Sequence, residues 1–341
     1  MPVNPAKALK KPVLISYLVL LSAIVLVACL HLGTPFVAVM FAYFLLTKLS
    51  FFRKKWIAII CFMVLMAFIF YGFVFFLRSA WVALPEIINT AIPRIVEYAD
   101  KHDIDLPFTD VDSLKDLALQ SVRETLGYLG NFAKIATKEF ALLIMAVVIG
   151  IAMFINPKLD QEADQPPSKT NLYSFYCALI SERFAGFYRS FERVMGAQLI
   201  ISLINTCLTA MFVYSTSLYY KTLMPHAHLM RNAHLVVILT FMCGFLPIVG
   251  NLISNAVIVG IAFTISPGFA MAAFIFLVVI HKLEYFLNSK IIGSRIRHPM
   301  WLLLLGLILG EQLMGIPGMI LAPVILNFIK TEAIQIPVLG K

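Results

Sequence analysis

Two hydrophobic stretches near the carboxyl end of the chain each break in the middle at proline and glycine. The first runs over 234–266 and breaks at the Leu-Pro-Ile-Val-Gly of 246–250. The second runs over 299–329 and breaks at the Gly-Ile-Pro-Gly of 315–318. Each arm has about 15 residues, or roughly 22 Å of α-helix, which is short of the ~30 Å hydrocarbon core of a bilayer. Paired interrupted segments of this kind indicate the substrate site of a secondary transporter.

The composition places the whole chain in a membrane. Apolar residues make up 61% of the sequence and charged residues 13%, whereas soluble domains carry about 25% charged residues. The net charge of +9 comes from short basic clusters beside apolar spans. That distribution is typical of cytoplasmic loops in membrane proteins, so we expect the lipid bilayer and not nucleic acid as a partner.

Hydropathy and charge predict an all-α polytopic membrane protein with about eight hydrophobic helical segments. The insert before the fourth span holds seven Lys or Arg against nine Asp or Glu, which favours the extracytoplasmic side, and both termini are then cytoplasmic. The predicted segments are three N-terminal spans in 1–77, an extracytoplasmic helical insert over 78–138, a fourth span with a cytoplasmic loop over 139–193, and a transport core over 194–341.

The broken stretches fall into this topology as two helical hairpins. Hairpin 234–266 begins and ends outside, and hairpin 299–329 begins and ends inside. Each hairpin follows one full span, so 194–266 and 268–330 share one plan in opposite orientations. Such an inverted repeat predicts a binding site at the repeat interface near the bilayer midplane.

Polar side chains within apolar segments are the candidate site residues. An intramembrane carboxylate costs a few kcal/mol unless it is paired, protonated or hydrated, so Glu311 is the leading candidate. The predicted substrate or ion ligands are Glu311, Gln312, Asn251, Ser254, Asn255, Gln198 and Asn205. The predicted gate or structural motif residues are Pro247, Gly250, His281, Glu284, Asn288, Lys290, Gly293, Gly306, Gly310, Gly315, Pro317 and Gly318.

Structural roles compete with these assignments. Glu284 lies two residues from Lys282 and can form an ion pair near the interface. Asn251, Asn255 and Gln312 can satisfy backbone groups that the breaks set free. On span five, Gln198, Ser202, Asn205 and Thr209 form one polar stripe, which faces protein or water rather than lipid.

Sequence signatures of common enzyme classes are absent. There is no GxxxxGK phosphate loop, no HExxH and no GxSxG elbow. We therefore expect no enzymatic activity, no cofactor and gradient-driven transport. The histidines at 226, 228 and 234 lack further ligands at metal-site spacing, so a solvated loop is favoured over a metal site.

Four motifs carry a resemblance to a known family. They are Met195-Gly196-Ala197-Gln198, Phe245 to Gly250, Leu283 to Gly293 followed by His298-Pro299, and Gly310 to Gly318 followed by Ala322-Pro323. In these motifs the chain resembles the autoinducer-2 exporter family of bacterial permease-like membrane proteins. The resemblance implies an inner-membrane homo-oligomer that exports a small polar signal molecule or, in some relatives, exchanges sodium or lithium for protons.

Three functions stay open from the sequence. An exporter of an autoinducer-2-like organic solute, working by alternating access, uses the hydrogen-bonding side chains at the hairpin tips. A sodium or lithium/proton antiporter requires Glu311 to titrate. A non-transport membrane scaffold acts through the insert of 78–138 and produces no flux.

Overall fold

The computed structural model describes residues 11–50, 54–104, 112, 129–159, 172–223, 233–246, 249–263, 265–291 and 299–335. Within these ranges the chain forms ten α-helices and no strand, which confirms the predicted all-α fold class. In chain order the helices are α1 Lys11–Cys29, α2 Gly33–Leu49, α3 Lys55–Lys101, α4 Leu129–Ile155, α5 Leu172–Leu223, α6 Ala233–Cys243, α7 Val249–Phe263, α8 Pro267–Ile291, α9 Met300–Met314 and α10 Ile316–Gln335.

Several of these helices are long and apolar enough to cross a membrane. The part of the chain that the structure describes contains five such segments, and its shorter apolar helices include α2, α6 and α9. The chain is therefore a polytopic membrane protein. The five segments are Pro12–Cys29, Lys55–Ala83, Thr137–Ile155, Leu172–Thr216 and Ile316–Gln335.

The predicted insert begins and ends as extensions of membrane helices. Helix α3 has 47 residues, about 70 Å at 1.5 Å per residue, so it extends well past a bilayer core. It continues the third span up to Lys101. Helix α4 begins at Leu129 and runs without interruption into the fourth span.

Helix α5 is longer than the sequence predicted. Helix α5 runs from Leu172 to Leu223 as one helix of 52 residues, so it begins within the segment 139–193 that was expected to hold the fourth span and a cytoplasmic loop. The polar residues of this segment led to the loop prediction. The helix nevertheless has a buried face on which Phe187, Phe191 and Met195 recur every four residues. All three side chains are at most 1% exposed, and burial of such a stripe stabilises the helix.

The chain divides into two units that are discontinuous in sequence. Unit 1 comprises 1–65, 137–196 and 292–341, and unit 2 comprises 66–136 and 197–291. Hydropathy divides the chain into contiguous segments according to the order of membrane spans, which is a different kind of division from these packing units. The division into contiguous segments stays a prediction.

Unit 1 packs α1, α2, α10 and the first part of α5 around one apolar core. Its buried members include Leu20 of α1, Phe44 of α2, Phe191 of α5 and Leu321 of α10. Ring contacts tie α5 to its neighbours: Phe187 lies 5.7 Å from Phe328 between ring centroids. The second arm of the α9–α10 hairpin is therefore part of this core.

Unit 2 packs the second part of α5 against α6, α7 and α8. Phe212 stacks on Phe276 with ring centroids 4.0 Å apart, and Ile258 of α7 is buried beside them. Helix α8 begins at Pro267 directly after Ser266, whose Oγ accepts the backbone N–H of Phe269 at 3.1 Å. Serine as the N-cap followed by proline at the first helical position defines this helix start.

Candidate functional site

The break between α6 and α7 is held by side chains of α5, all within unit 2. Gln198 Nε2 donates to the carbonyl oxygen of Gly244 at 2.6 Å. Ser202 Oγ donates to the carbonyl oxygen of Phe241 at 2.9 Å. These carbonyls lie at the carboxyl end of α6, where a helix leaves its last C=O groups without intrahelical partners. Within a membrane such groups need protein partners or water, and α5 supplies them.

The same polar stripe continues along α5 beyond these two bonds. Asn205 is 5% exposed and Thr209 is 1% exposed. Asn205 Oδ1 has no hydrogen-bond partner among the described residues. A buried amide oxygen without a partner costs free energy, so this position has an unused acceptor in the apolar interior of unit 2.

The predicted ligands on α7 lie in its first turns, beyond the break. Ser254 is buried and Asn255 is half-buried. Asn251 lies in α7, although the description does not extend to its side chain. Gly250 donates its N–H to the carbonyl oxygen of Leu246 at 3.1 Å, and a Cβ at Gly250 would overlap the carbonyl of Cys243. The glycine therefore permits the close turn of this hairpin.

The break between α9 and α10 is a single residue in unit 1. Gly315 has φ +65°, which favours glycine because it lies in a region that side chains with a Cβ avoid. Its N–H donates to the carbonyl oxygen of Glu311 at 2.7 Å. Pro317 then lies in the first turn of α10, where a missing N–H has no helical cost.

Glu311 and Gln312 lie one turn before this tip, and both are exposed. Gln312 Nε2 donates to Glu311 Oε2 at 2.8 Å. Glu311 therefore points away from the interior of its unit, and its carboxylate pairs with an adjacent amide.

Glycines bring the two arms of the α9–α10 hairpin into close contact. A Cβ on Gly310 would overlap the Gly318 carbonyl, and a Cβ on Gly306 would lie 3.2 Å from Leu326 Cδ1. Small residues at such positions let membrane helices approach closely. Gly306, Gly310 and Gly318, three of the predicted gate or structural motif residues, therefore lie where the two arms meet, and a functional role for them stays a prediction.

The tip of the α9–α10 hairpin lies beside the turn that joins α1 to α2. A Cβ on Gly33 would be 3.1 Å from Pro317 Cβ and 3.2 Å from Met314 Cβ. At the other end of α10, Tyr17 Oη donates to Glu332 Oε2 at 2.5 Å. The rise along α1 from Tyr17 to Cys29 is about 18 Å, and that along α10 from Pro317 to Glu332 is about 22 Å at 1.5 Å per residue. The hairpin thus reaches the level at which α1 turns into α2.

The remaining predicted motif residues concern α8 and its surroundings. His281, Glu284, Asn288 and Lys290 lie in α8, and the description does not extend to their side chains. Pro247 and Gly293, like the histidines at 226 and 228, lie outside the described residues. Over the described ranges no group of His, Cys, Asp or Glu has the arrangement of a metal site. Gate roles for these residues stay predictions.

Sequence reasoning missed a buried ionic network in unit 1. Glu332 of α10 and Arg183 of α5 form an ion pair, and Arg183 Nη1 also donates to Tyr17 Oη at 2.7 Å. Glu332 follows Leu321, Val324 and Phe328 on one buried face of α10. That periodicity was the available signal, because it extends the apolar face beyond the predicted hairpin end at 329 to a carboxylate.

Helix α10 also carries buried polar atoms without a hydrogen-bond partner among the described residues, as α5 does at Asn205 Oδ1. Asn327 is 2% exposed, and neither its Oδ1 nor its Nδ2 has a hydrogen-bond partner among the described residues. Buried amides normally satisfy both groups. Helix α10 therefore carries a buried amide without hydrogen-bond partners among the described residues, as well as a member of an ion pair.

Comparisons with known proteins agree with this architecture. A family model described as "AI-2E family transporter" matches residues 14–336, nearly the whole chain. A curated protein of Bacillus subtilis (strain 168) described as "Putative transport protein YdbI" is 27% identical over 191 residues. The match covers 55% of this chain and 50% of that protein, so the chain spans about half the length of the curated relative it matches.

Proposed function

The chain belongs to the family of AI-2E transporters, and on that premise we propose that it is a secondary transporter of a small polar organic solute. The proposed solute class is that of autoinducer-2-like signals, the direction is export, and the mechanism is alternating access. Its proposed location is the bacterial inner (cell) membrane, with both termini cytoplasmic, as a homo-oligomer.

The observation that carries this proposal is the polar stripe of α5 behind the broken α6–α7 hairpin. Gln198 and Ser202 satisfy carbonyls at the break, while the Asn205 amide oxygen is buried without a partner among the described residues. The hydrogen bonds hold the break in place, and the Asn205 amide oxygen can accept a hydrogen bond from a hydroxyl or amine group of a polar solute. Interrupted helices of this kind provide such groups in secondary transporters.

The flexibility that transport requires can reside in the hairpins. Interrupted helices provide hinge positions, because a few residues at element ends absorb changes in φ and ψ. Gly315 and the turn before Gly250 are such positions. The proposed inverted repeat gives each hairpin the equivalent role on opposite sides of the membrane.

Cation exchange is the second candidate function. It is favoured by Glu311, an exposed carboxylate one turn from the tip of a membrane hairpin. Glu311 pairs with Gln312 through one hydrogen bond. The neutral Gln312 amide does not cancel the charge of the carboxylate, which can therefore bind a sodium or lithium ion.

Flux measurements in reconstituted vesicles test these functions against each other. The full chain is assayed with autoinducer-2 as the solute probe, and with sodium and lithium pulses against an internal pH dye, with and without a pH gradient. Solute flux supports the exporter, while cation-dependent dissipation of the pH gradient alone supports the antiporter. The absence of both fluxes, together with partner capture through 78–138, contradicts transport and supports the scaffold.

A matched pair of variants links the flux to the polar stripe. Asn205→Leu removes the unused acceptor, and we expect it to lower solute flux without loss of the folded protein. Thr206→Val is the control, because Thr206 Oγ1 bonds the carbonyl of Ser202 in its own helix. Equal flux in both variants would remove Asn205 from the proposed site.

A further inference from the structure

Glu332 differs from every other carboxylate whose side chain the structure describes, because it is buried. Its exposed fraction is 7%, and it lies near the end of α10, the second arm of a broken hairpin. Ionisable groups inside membrane proteins are costly, and they mark ion pathways and proton relays. A role in the working cycle is therefore the first hypothesis for this residue.

Three helices of unit 1 meet at this carboxylate. Tyr17 of α1 donates its hydroxyl to Glu332 Oε2 at 2.5 Å, and Arg183 of α5 forms an ion pair with the same oxygen. A Cβ on Gly186 would lie 2.9 Å from Glu332 Oε1, so the glycine admits the carboxylate against α5. Near its end the hairpin arm is thus tied to α1 and α5 by the polar contacts of one side chain, in addition to its apolar contacts in the core of unit 1.

The guanidinium of Arg183 has a second carboxylate within reach. Arg183 Nη2 pairs with Glu182 Oε2 at 2.9 Å, and the Glu182 side chain is 59% exposed. If Glu332 loses its charge, Arg183 keeps the exposed Glu182 carboxylate as a counter-charge. This matters because a buried charge without a partner is strongly destabilising. The geometry therefore permits Glu332 to leave the pair while Arg183 stays compensated.

The other charged groups near Glu332 are few within the described residues. Arg189 approaches from α5, with Nη2 3.8 Å from the Cβ position of Gly186. Lys330 lies two residues earlier on α10 and is half-buried. With Tyr17, Arg183 and Glu182, these are the charged or titratable groups that lie near the carboxylate among the described residues.

We propose that Glu332 is a proton-binding site that fastens the end of α10 to α1 and α5 when ionised and releases that end when protonated. One proton from water adds to the carboxylate, its ion pair with Arg183 and its hydrogen bond from Tyr17 break, and the existing pair of Arg183 with Glu182 remains. Use of this step to couple a proton gradient to hairpin movement rests on the proposed function.

Hydrogen exchange of the full chain in lipid nanodiscs tests the release directly. Glu332→Gln has the shape of the protonated acid, so we expect amide exchange in 172–196 and at the end of α10 to rise roughly tenfold at neutral pH. The wild-type chain should approach the variant on acidification. Glu182→Gln, which alters an exposed partner of the same guanidinium, should match the wild type at neutral pH.

Equal exchange in the wild-type and Glu332→Gln chains at every pH would overturn the proposal. If Glu332→Gln does not fold, Arg183→Gln breaks the same pair from α5 and should give the same rise. Tyr17→Phe removes only one hydrogen bond and should give a smaller one. Exchange does not depend on transport, so a chain that moves no solute can still pass or fail this test.

Discussion

Gly310 and Gly318 face each other across the α9–α10 hairpin so closely that a Cβ on either residue would overlap the other's carbonyl. Gly318→Ala therefore forces the arms apart. We expect a loss of about 1–3 kcal/mol in the free energy of unfolding, the usual cost of overpacking. The measurement is thermal unfolding of the purified protein in detergent, followed by circular dichroism.

Gly260→Ala is the matched control for this substitution. Gly260 lies within helix α7, and a Cβ there would meet no atom within 4 Å. Alanine is favoured over glycine in a helix by roughly 0.5–1 kcal/mol, so the control should keep or raise the unfolding temperature. A similar loss in both variants would contradict the close approach of the arms.

The hydrogen bond from Gln198 to Gly244 yields a second prediction. Gln198→Met keeps the length of the side chain but leaves the Gly244 carbonyl without its donor. An unsatisfied buried acceptor costs about 1–3 kcal/mol, so we expect lower thermal stability and lower flux in reconstituted vesicles. Thr206→Val serves again as the control on the same helix. A stability equal to the wild type would mean that Gln198 does not hold the break.

The positions of both breaks were predictable, because glycine and proline mark where a membrane helix cannot continue. Gly315 is the single non-helical residue between α9 and α10, inside the predicted break. The carbonyl groups to which the polar stripe of α5 is hydrogen-bonded were not predictable from the sequence. Gln198 and Ser202 bond carbonyls 46 and 39 residues away, and that choice depends on how α5 packs against α6.

The ionic network was missed for a related reason. Hydropathy ended the second hairpin at 329 and assigned Arg183 to a loop, so neither member of the pair lay inside a predicted membrane segment. The two residues are 149 positions apart. Only the tertiary packing of α5 across α10 shows that these surface-like charges are buried together.

Glu311→Gln is predicted to separate folding from proton dependence. Glu311 is exposed, and its carboxylate accepts a hydrogen bond from the neighbouring Gln312, so its loss should change stability by no more than about 0.5 kcal/mol. We expect normal membrane insertion and the loss of pH-dependent transport. Flux in vesicles over a range of pH, compared with the wild type, measures this. If the pH dependence of transport in the variant equals that of the wild type, the proton binds at a residue other than Glu311.

The depth of the α9–α10 hairpin makes a topological prediction. Its tip contacts Gly33, at the end of α1 opposite to Lys11, and Glu332 at its base contacts Tyr17. The hairpin should therefore be accessible from opposite membrane faces at its two ends. A short re-entrant loop would instead be accessible from one face.

Cysteine labelling in a background that lacks the five native cysteines measures this accessibility. Ile316→Cys at the tip and Ile334→Cys at the base are suitable sites, because both side chains are exposed, at 59% and 70%. With the proposed topology, an impermeant maleimide added to whole cells should label position 316, and position 334 should require permeabilised cells. If the labelling is reversed, the orientation of the protein in the membrane is opposite to the proposed one, but the hairpin still extends from one surface to the other. Labelling of both positions from the same face would contradict a hairpin that reaches the far surface.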